Sequence, residues 1–288
     1  MDDVFIHPFI YCYTLNRMNQ ITLEQIEAMD YISFMGYLNE TNRPPGGNDS
    51  MRRMAQNSFL TSNSHVLHSG CNTGYCSFEL SHLTKCRVTA LDFNEEMLRS
   101  AKARLEKEPE PYSDLITFER GDAHNLRFAE STFDLVMSGG STAFMRDKEK
   151  VVSEYARVCK PYGFVGDVFL YYHEDPPQEL VDTINESLNI SIQKWSKDYW
   201  VSLYTNAGLE EYYVYDAPMP IYPTDHDVRS YCEALITPLN LSASLHEAAF
   251  KKLYRYMSMF NENHKYLSHT VLLCRKTPQK EQMALFGV

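Results

Sequence analysis

The residues best suited to holding a nucleotide-like ligand follow a short apolar run. Gly70 and Gly74 enclose Cys71 and Asn72 in a Gly-x-Asn-x-Gly turn, and a helical pattern begins at Tyr75. A strand, a tight loop and a helix in this order point backbone N–H groups and a helix N-terminus at a bound ligand. Glycine lets a ligand approach the backbone, and asparagine tolerates a positive φ. The stretch predicts a nucleotide-binding turn; an ordinary strand-to-helix turn is the alternative.

An acidic residue follows the next apolar run. Residues 88–91 read as a buried strand and lead into Asp92, 18 residues after Gly74. In a doubly wound sheet, an ionised carboxylate at this place accepts hydrogen bonds from ribose hydroxyls. We therefore predict that Asp92 holds a ribose. The alternative is that Asp92 only supports the start of the helix that follows Asn94, where an acid is favourable.

These features belong to a longer alternation of strands and helices. Three further apolar runs, at 116–120, 133–138 and 164–171, are separated by helical patterns, as in a parallel sheet. In the order and spacing of its motifs, the stretch 60–175 resembles the class I S-adenosylmethionine-dependent methyltransferases of the small-molecule type. The motifs are Gly70-Cys71-Asn72-Thr73-Gly74, Asp92, Gly121-Asp122-Ala123, the run 133–138 and the helix end at 157–163. The resemblance implies an α/β fold: a Rossmann-like, seven-stranded, mostly parallel sheet with helices on both faces.

The resemblance also implies a cofactor, S-adenosylmethionine, with S-adenosylhomocysteine as product. Its binding residues would be His68, Gly70, Cys71, Asn72, Gly74, Asp92, Phe93, Met97, Asp122, Ala123, Ser138 and Gly139. Phe93 would pack on the adenine ring, and Asp122 would receive the adenine amino group. Ser138 and Gly139 would lie beneath the methionine portion. For Asp122, an ordinary turn aspartate is the alternative.

Two positions depart from the family pattern. Relatives usually carry an acid where this chain has His68 and a glycine where it has Asn72. The acid helps to hold the cofactor's ammonium group, which a neutral histidine can still meet with one hydrogen bond, whereas a protonated histidine would repel it. Loss of a charge-assisted bond costs about 1.5–3 kcal/mol. The departures leave room for an altered cofactor, or for a protein that binds without transferring.

The methyl-acceptor side is specified by fewer residues. The run 164–171 delivers Tyr171, Tyr172 and His173 to the predicted catalytic edge. His173 is the candidate general base because its ordinary pKa suits proton removal near neutrality, and a solvated surface histidine is the alternative. An aromatic wall would favour an amine or aromatic substrate. Its members would be Tyr199, Trp200, Tyr204, Tyr222, Tyr231, Tyr254 and Tyr256, although such residues also pack cores. No metal is predicted, because no ligand spacing is convincing.

The flanking segments suggest a cap and a lid. Thr22 and Gln25 form a capping-box signature that opens a helix to about Leu38, and Asp49 or Ser50 can cap the next helix. The Pro-Pro-Gly-Gly turn at 44–47 resembles the segment that closes over the methionine end of the cofactor in small-molecule methyltransferases, and an ordinary turn between two helices is the alternative. The predicted domains are 1–60, an N-terminal helical cap; 61–217, the cofactor-binding core; 218–266, a helical lid over the sheet; and 267–288, the last core strand and a tail. The aromatic first 20 residues would cover the site or pair with a second subunit.

Composition and charge limit the kinds of molecule that the protein is expected to bind. The chain has 288 residues and a net charge of −11, which makes duplex nucleic acid an improbable partner. Its seven cysteines include no Cys-x-x-Cys pair, and we expect no signal peptide, which favours a cytoplasmic location. No apolar run approaches the roughly 20 residues that span a bilayer, so no membrane partner is expected. A homodimer is a further possibility.

The function predicted from these observations is methyl transfer from S-adenosylmethionine to an O, N, S or C atom of a small molecule. Three alternatives stay open. A protein methyltransferase would need an open groove, a binding protein would hold the cofactor without turnover, and a third class would use the sulfonium for a different reaction.

Overall fold

The computed structural model describes residues 21–38 and 40–278, apart from the side chain of Ile32. Seven strands form one sheet in the order β3-β2-β1-β4-β5-β7-β6. The strands are β1 (His65–Ser69), β2 (Arg87–Asp92), β3 (Ile116–Arg120), β4 (Phe133–Ser138), β5 (Cys159–Tyr172), β6 (Glu210–Pro218) and β7 (Leu267–Arg275). β7 pairs antiparallel with β5 and β6, and the other ladders are parallel. The predicted seven-stranded, mostly parallel sheet is confirmed.

The described part of the chain contains eleven α-helices, three of which precede β1. They are α1 (Leu23–Ala28), α2 (Tyr31–Tyr37), α3 (Gly47–Asn57), α4 (Tyr75–Thr84), α5 (Glu95–Leu105), α6 (Tyr112–Leu115), α7 (Lys148–Val158), α8 (Gln178–Leu188), α9 (Lys197–Thr205), α10 (Asp225–Ile236) and α11 (Ala243–His264). A 3-10 turn, Ser141–Phe144, follows β4.

The strands at the centre of the sheet are buried on both faces, which is why they read as continuous apolar runs, whereas the edge strand β6 is largely exposed. On one face, Val66, Leu135 and Val168 pack with residues of α3, α4 and α5. On the other face, Val136 and Phe169 pack with residues of α7 and α9. The carboxyl ends of β1, β2 and β4 share one edge of the sheet, where the predicted cofactor residues follow.

The chain divides into two compact units. The sheet unit comprises residues 41–175, 193–220 and 266–278, and it contains all seven strands. The helical unit comprises the described residues of 21–40, together with 176–192 and 221–265. Helices are therefore present between β6 and β7, as the sequence indicated. Their predicted closure over the sheet stays a prediction, as do the predicted domain boundaries.

The helical unit has its own apolar core. Side chains from five helices, α1, α2, α8, α10 and α11, meet in this core. Ile26 and Phe34 are completely buried there, and they pack with Ile184, Val228 and Leu253. The Lys252 ammonium donates to the carbonyl oxygens of Ile26 at 2.9 Å and Glu27 at 2.8 Å. A lysine at this place satisfies carbonyls that a helix end leaves without partners.

Several local expectations are confirmed. Thr22 Oγ1 accepts the Gln25 backbone N–H while Gln25 Oε1 accepts the Thr22 N–H, which is the predicted capping box. α4 begins at Tyr75, as expected from the turn before it. Asn94 Oδ1 accepts the N–H groups of Glu96 and Met97, so Asn94 is the N-cap of α5.

Other boundaries were wrong. The single helix expected as far as Leu38 breaks after α1, because Asp30 Oδ1 accepts the Ser33 N–H at 2.7 Å and starts a new helix. Neither Asp49 nor Ser50 caps α3, since the helix begins one residue after Gly46. Asp49 lies in the first turn, where it accepts a hydrogen bond from Arg53 at 2.6 Å.

β5 is longer than the run 164–171. It begins at Cys159, which pairs with Phe133, and the next paired residues are Phe164 and Leu135. The four residues between Cys159 and Phe164 are accommodated by an irregularity of the ladder, so the Lys-Pro-Tyr-Gly stretch interrupts the pairing without ending the strand. The first 20 residues and the tail beyond 278 lie outside the described residues, and the expectations for them stay predictions.

Candidate functional site

The turn after β1 has the backbone that the sequence suggested. Gly70, Asn72 and Gly74 have φ values of 68°, 49° and 93°. If Gly70 were replaced by a residue with a side chain, the added Cβ atom would lie 2.1 Å from Ser141 Oγ. A Cβ atom added at Gly74 would lie 2.7 Å from the Phe118 ring. Larger residues would therefore clash as well as strain the left-handed backbone. The turn needs these two glycines for its own geometry.

Asp92 links this turn to the next helix. It lies at the end of β2 with a side chain that is almost completely buried. Its Oδ2 accepts the Asn72 N–H at 2.8 Å, and its Oδ1 accepts the Asn94 N–H at 2.9 Å. A carboxylate oxygen has two lone pairs, so each oxygen can still accept a hydroxyl. Asp92 can thus order the glycine turn and hold ribose hydroxyls at the same time.

The predicted adenine residues follow β2 and β3. Phe93 is 76% exposed, so its ring face is open to a ligand. Met97 is half-buried in the first turn of α5. Ala123 is buried against the core, whereas Asp122 projects from the loop and keeps 66% of its side chain exposed. A flat exposed ring and an exposed acceptor suit a purine with an amino group.

His68, at the methionine end, is buried on β1. Its Nδ1 lies 2.8 Å from Ser77 Oγ, and burial lowers the pKa of His68 to about 3. The imidazole is therefore neutral throughout the physiological range. A Cβ atom added at Gly139 would lie 3.8 Å from His68 Nε2 and 2.8 Å from Cys76 Sγ. The absence of a side chain at Gly139 leaves room beside His68.

The thiols around the turn are unsuited to nucleophilic chemistry. Burial raises the pKa of the Cys71 thiol well above its ordinary value, and the neighbouring Asp92 carboxylate adds to the rise. Burial also raises the pKa of Cys76 to about 12. Because the thiolate is the reactive form, both residues stay inert at neutral pH. Cys71 therefore contributes its backbone and its small volume to the turn.

A buried polar network lies beneath the loop that follows β4. Ser138 Oγ accepts the Gly140 N–H at 3.3 Å and lies 3.0 Å from Ser141 Oγ. Ser141 Oγ donates to the Ser69 carbonyl at 2.9 Å, which ties this loop to the end of β1. The Tyr155 hydroxyl donates to Ser69 Oγ at 2.8 Å. The loops after β1 and β4 are thus held in one fixed arrangement.

Asp167 completes this network and was missed by the sequence analysis. It is completely buried on β5, where its Oδ2 accepts the Tyr204 hydroxyl at 2.5 Å and its Oδ1 accepts the Gly140 N–H at 3.3 Å. Burial raises the pKa of Asp167, although the hydrogen bonds to it act in the opposite direction. One signal was available: Asp167 is the single acid in the apolar run 164–171.

The predicted catalytic residues lie at the end of β5 but are not gathered at one point. Successive strand residues point to opposite faces, which separates Tyr171 from Tyr172. Tyr171 is half-buried against the core shared with α7 and α9. His173 is exposed, and its Nδ1 lies 3.0 Å from Ser268 Oγ on β7. His173 has the accessibility that a general base needs.

The Pro-Pro-Gly-Gly turn lies against the loop that follows β4. A Cβ atom at Gly139 would lie 3.6 Å from Pro44 Cβ, and one at Gly140 would lie 3.7 Å from Pro45 Cδ. The turn therefore approaches the residues predicted to lie beneath the methionine portion of the cofactor. The closing role that the resemblance implied stays a prediction.

The same turn lies over His269, a second residue that the sequence analysis missed. A Cβ atom at Gly46 would lie 2.5 Å from His269 Nε2. His269 is buried, and its Nδ1 has no hydrogen-bond partner among the described residues. Burial lowers the pKa of His269, which keeps the imidazole neutral. It pairs with Leu170 across the β5–β7 ladder, so it lies near the carboxyl end of β5.

The predicted aromatic wall is not assembled in the sheet unit. Trp200 and Tyr204 are completely buried in the core beneath β5, where Trp200 stacks on Phe169 with ring centroids 5.2 Å apart. For these two residues the core-packing alternative was right. The remaining tyrosines of the proposed wall, apart from Tyr199, belong to the helical unit.

Residues 21–38 and 40–278 contain neither a cluster of metal ligands nor a helix that could span a membrane. No group of three or more His, Cys, Asp or Glu side chains in these ranges is placed to hold a metal ion. Every helix in the same ranges is too short or too polar to cross a lipid bilayer.

Part of the chain matches a family of known proteins, and several known proteins resemble more of it. Residues 67–166 match the family described as "Methyltransferase domain". An uncharacterized protein of Haemophilus influenzae is 22% identical over 246 residues, which cover 84% of this chain and 96% of that protein. A demethylmenaquinone methyltransferase of Desulfitobacterium hafniense is 39% identical over 97 residues, covering 33% of this chain and 38% of the enzyme. The chain therefore matches well under half of that enzyme's length.

Solved structures share the fold. The crystal structure of MccD protein superposes with a TM-score of 0.72 and 19% identity, covering 82% of this chain and 100% of that one. A phosphoethanolamine N-methyltransferase of Haemonchus contortus, solved with phosphomonomethylethanolamine and S-adenosylhomocysteine, superposes with a TM-score of 0.64 and 15% identity. That match covers 92% of this chain and 60% of the enzyme.

Proposed function

We propose that this chain is a class I S-adenosylmethionine-dependent methyltransferase, which transfers a methyl group to an O, N, S or C atom of a small molecule. The observation that carries the proposal is the family match across 67–166, because it spans the glycine turn and Asp92. Both features have a geometry that fits the cofactor. Its sulfonium supplies the methyl group, so the protein's task is to align two reactants and exclude water.

The ribose end would be held by Asp92. Each carboxylate oxygen already accepts one backbone N–H, and the remaining lone pairs can accept the two ribose hydroxyls. The N–H groups that Asp92 accepts belong to the glycine turn and to the start of α5. The same residue therefore would position the turn whose backbone, at Gly70 and Cys71, approaches the cofactor.

The adenine would lie between Phe93, Met97 and the Asp122–Ala123 loop. Phe93 offers an open ring face, and Asp122 offers an exposed carboxylate for the amino group. The methionine portion would lie toward Ser138, Gly139 and His68. Because His68 is neutral, its free Nε2 can accept a hydrogen bond from the ammonium group without repelling it. This tautomer places the ring proton on Nδ1, where it donates to Ser77.

On the acceptor side, we assign the catalytic roles to His173, Tyr171 and Tyr172. His173 would take the proton from the attacking atom, and its hydrogen bond with Ser268 would orient the ring. Tyr171 and Tyr172 point to opposite faces of β5, so the acceptor would contact the tyrosine on the face where it binds. An aromatic or amine acceptor suits tyrosine side chains. The three alternatives named above find no support in the matched proteins described here.

We also propose that the protein is located in the cytoplasm. The six described cysteines are all free and buried, which fits the reducing cytoplasm. The negative charge argues against nucleic acid as substrate. A homodimer, and closure of the segment 218–266 over the sheet as a lid, remain proposals.

The test removes the ribose contact. Asp92→Ala should weaken S-adenosylhomocysteine binding about tenfold or more, measured by titration calorimetry. Glu96→Ala is the matched control, because this acid lies on α5 with its side chain 78% exposed. Unfolding curves would establish that the Asp92 variant is folded. Unchanged affinity in the folded variant would refute the cofactor assignment.

The acceptor class is tested separately. The wild-type protein is incubated with methyl-labelled S-adenosylmethionine and either small metabolites or intact proteins from a cell extract. Label in the small-molecule fraction is expected. Label confined to protein, or cofactor bound without turnover, would replace the proposal by one of its alternatives.

A further inference from the structure

His124 bridges two loops beside the predicted adenine site. Its Nδ1 lies 2.7 Å from Asp122 Oδ1, and its Nε2 lies 2.5 Å from the carbonyl oxygen of Arg146. Its backbone N–H donates to the same Asp122 oxygen at 2.9 Å. Asp122 follows β3 and Arg146 precedes α7, so one imidazole ties together loops that follow two different strands.

The chemistry of the two contacts defines the charge of the ring. A carboxylate and a backbone carbonyl only accept hydrogen bonds at neutral pH, whereas a neutral imidazole carries a single N–H. Only the doubly protonated ring satisfies both partners. The hydrogen bond to Asp122 raises the pKa of His124, and the carbonyl of Arg146 adds to the rise. The charged groups that act on the ring are Asp122, which favours the cation, and Lys150, which opposes it.

The contact also orients Asp122. Both hydrogen bonds that its carboxylate accepts from described residues end on Oδ1, one from the ring and one from the backbone of His124. Oδ2 is left to accept from a ligand. Since Asp122 is largely exposed, without the ring its side chain would rotate among several rotamers.

We propose that His124 is the positioning residue of the adenine site, and that its imidazolium holds Asp122 with Oδ2 directed at the adenine amino group. The inference rests on the proposed function, because it takes the ligand to be an S-adenosyl compound. His124 itself does not contact the cofactor in this assignment. It acts through Asp122 and through the loop that it ties to Arg146.

The proposal predicts a pH dependence with a definite sign. The contact is complete below the ordinary histidine pKa of 6.5 and is lost as the pH rises through the raised pKa of the folded protein. Cofactor affinity should therefore fall with rising pH. The two side chains are 28% and 66% exposed, so solvent screens the pair. A loss of about two- to fivefold is expected, the range for screened ion pairs.

The experiment measures S-adenosylhomocysteine affinity by titration calorimetry from about pH 5.5 to pH 9, the range in which histidine titrates. The proteins are the wild type, His124→Gln and the control His82→Gln. His82 Nε2 lies 2.7 Å from Glu108 Oε2, so the control breaks a similar exposed pair on α4. The amino group of the ligand titrates identically in all three proteins. The difference between the affinity curves of the wild type and His124→Gln therefore reports the effect of the His124 ring alone.

The expected result is that His124→Gln binds about two- to fivefold more weakly at the acidic end and converges with the wild type at the basic end. His82→Gln should follow the wild type. Parallel curves for wild type and His124→Gln would overturn the positioning role, even if the variant were less stable to urea. Absence of binding in all three proteins would instead overturn the proposed function, and this inference with it.

Discussion

Removal of the Tyr204 hydroxyl tests the buried network beneath the loop after β4. In Tyr204→Phe the ring stays in place, and only the hydrogen bond to Asp167 Oδ2 is lost. Both side chains are completely buried, so no solvent replaces the missing donor. A buried acceptor left without its partner costs about 1–3 kcal/mol. We expect the free energy of unfolding to fall by an amount in this range.

Urea denaturation measures the effect. Tyr204→Phe should lower the midpoint without changing the slope, since the surface exposed on unfolding is the same. Tyr199→Phe is the control, because it removes a hydroxyl from a half-buried tyrosine of the same helix. Equal midpoints for Tyr204→Phe and the wild type would refute the view that the network stabilises the fold.

The raised pKa of Asp167 adds a pH test. The folded protein retains the Asp167 proton to higher pH than the unfolded chain does, so stability falls as pH rises from 3.8 through the raised pKa. Asp167→Asn cannot ionise and removes this contribution, while its amide still meets the neighbouring donors and acceptors. The difference in unfolding free energy between the two proteins should therefore change with pH in this window and stay constant above it. A difference that is constant throughout would refute the raised pKa.

Two further predictions concern the ligand. Residues 218–263 should gain protection from hydrogen exchange when cofactor and acceptor are both bound, because a closed lid excludes water; equal protection in every state would indicate a fixed subdomain. His68→Gln should shift cofactor affinity without altering the shape of its pH profile between about pH 5.5 and 8, since the pKa of His68 is about 3 and the ring does not titrate there. A changed shape by calorimetry would show that His68 ionises in the working range.

The parts of the site that could be predicted from the sequence are those determined by residues close together along the chain. The turn at Gly70–Gly74 and the carboxylate of Asp92 follow from apolar runs, glycines and spacing along one stretch of chain. The N-cap at Asn94 likewise depends on residues two and three positions away. Such features are decided by neighbours in sequence, so one sequence suffices to predict them.

The parts that sequence reasoning missed depend on distant partners. Asp167 meets Tyr204, 37 residues away, and Gly46 lies against His269, far along the chain. The low pKa of His68 follows from complete burial, which the alternation of a strand alone does not reveal. The helix expected to reach Leu38 ends early because the Asp30 side chain, itself a local feature, caps a new helix. The Asp30 cap and the single acid in the run 164–171 are the two signals that the sequence itself contained.

The position of β7 has a consequence for how the protein is made. β7 is the last described strand to leave the ribosome, yet it lies between β5 and β6 and forms one ladder with each of them. Until residue 275 has emerged, a nascent chain presents open edges on both of those strands, and unpaired edges invite association with other chains. All three segments of the helical unit are synthesised before β7. During translation, that unit can therefore acquire its core while the sheet still awaits its closing strand.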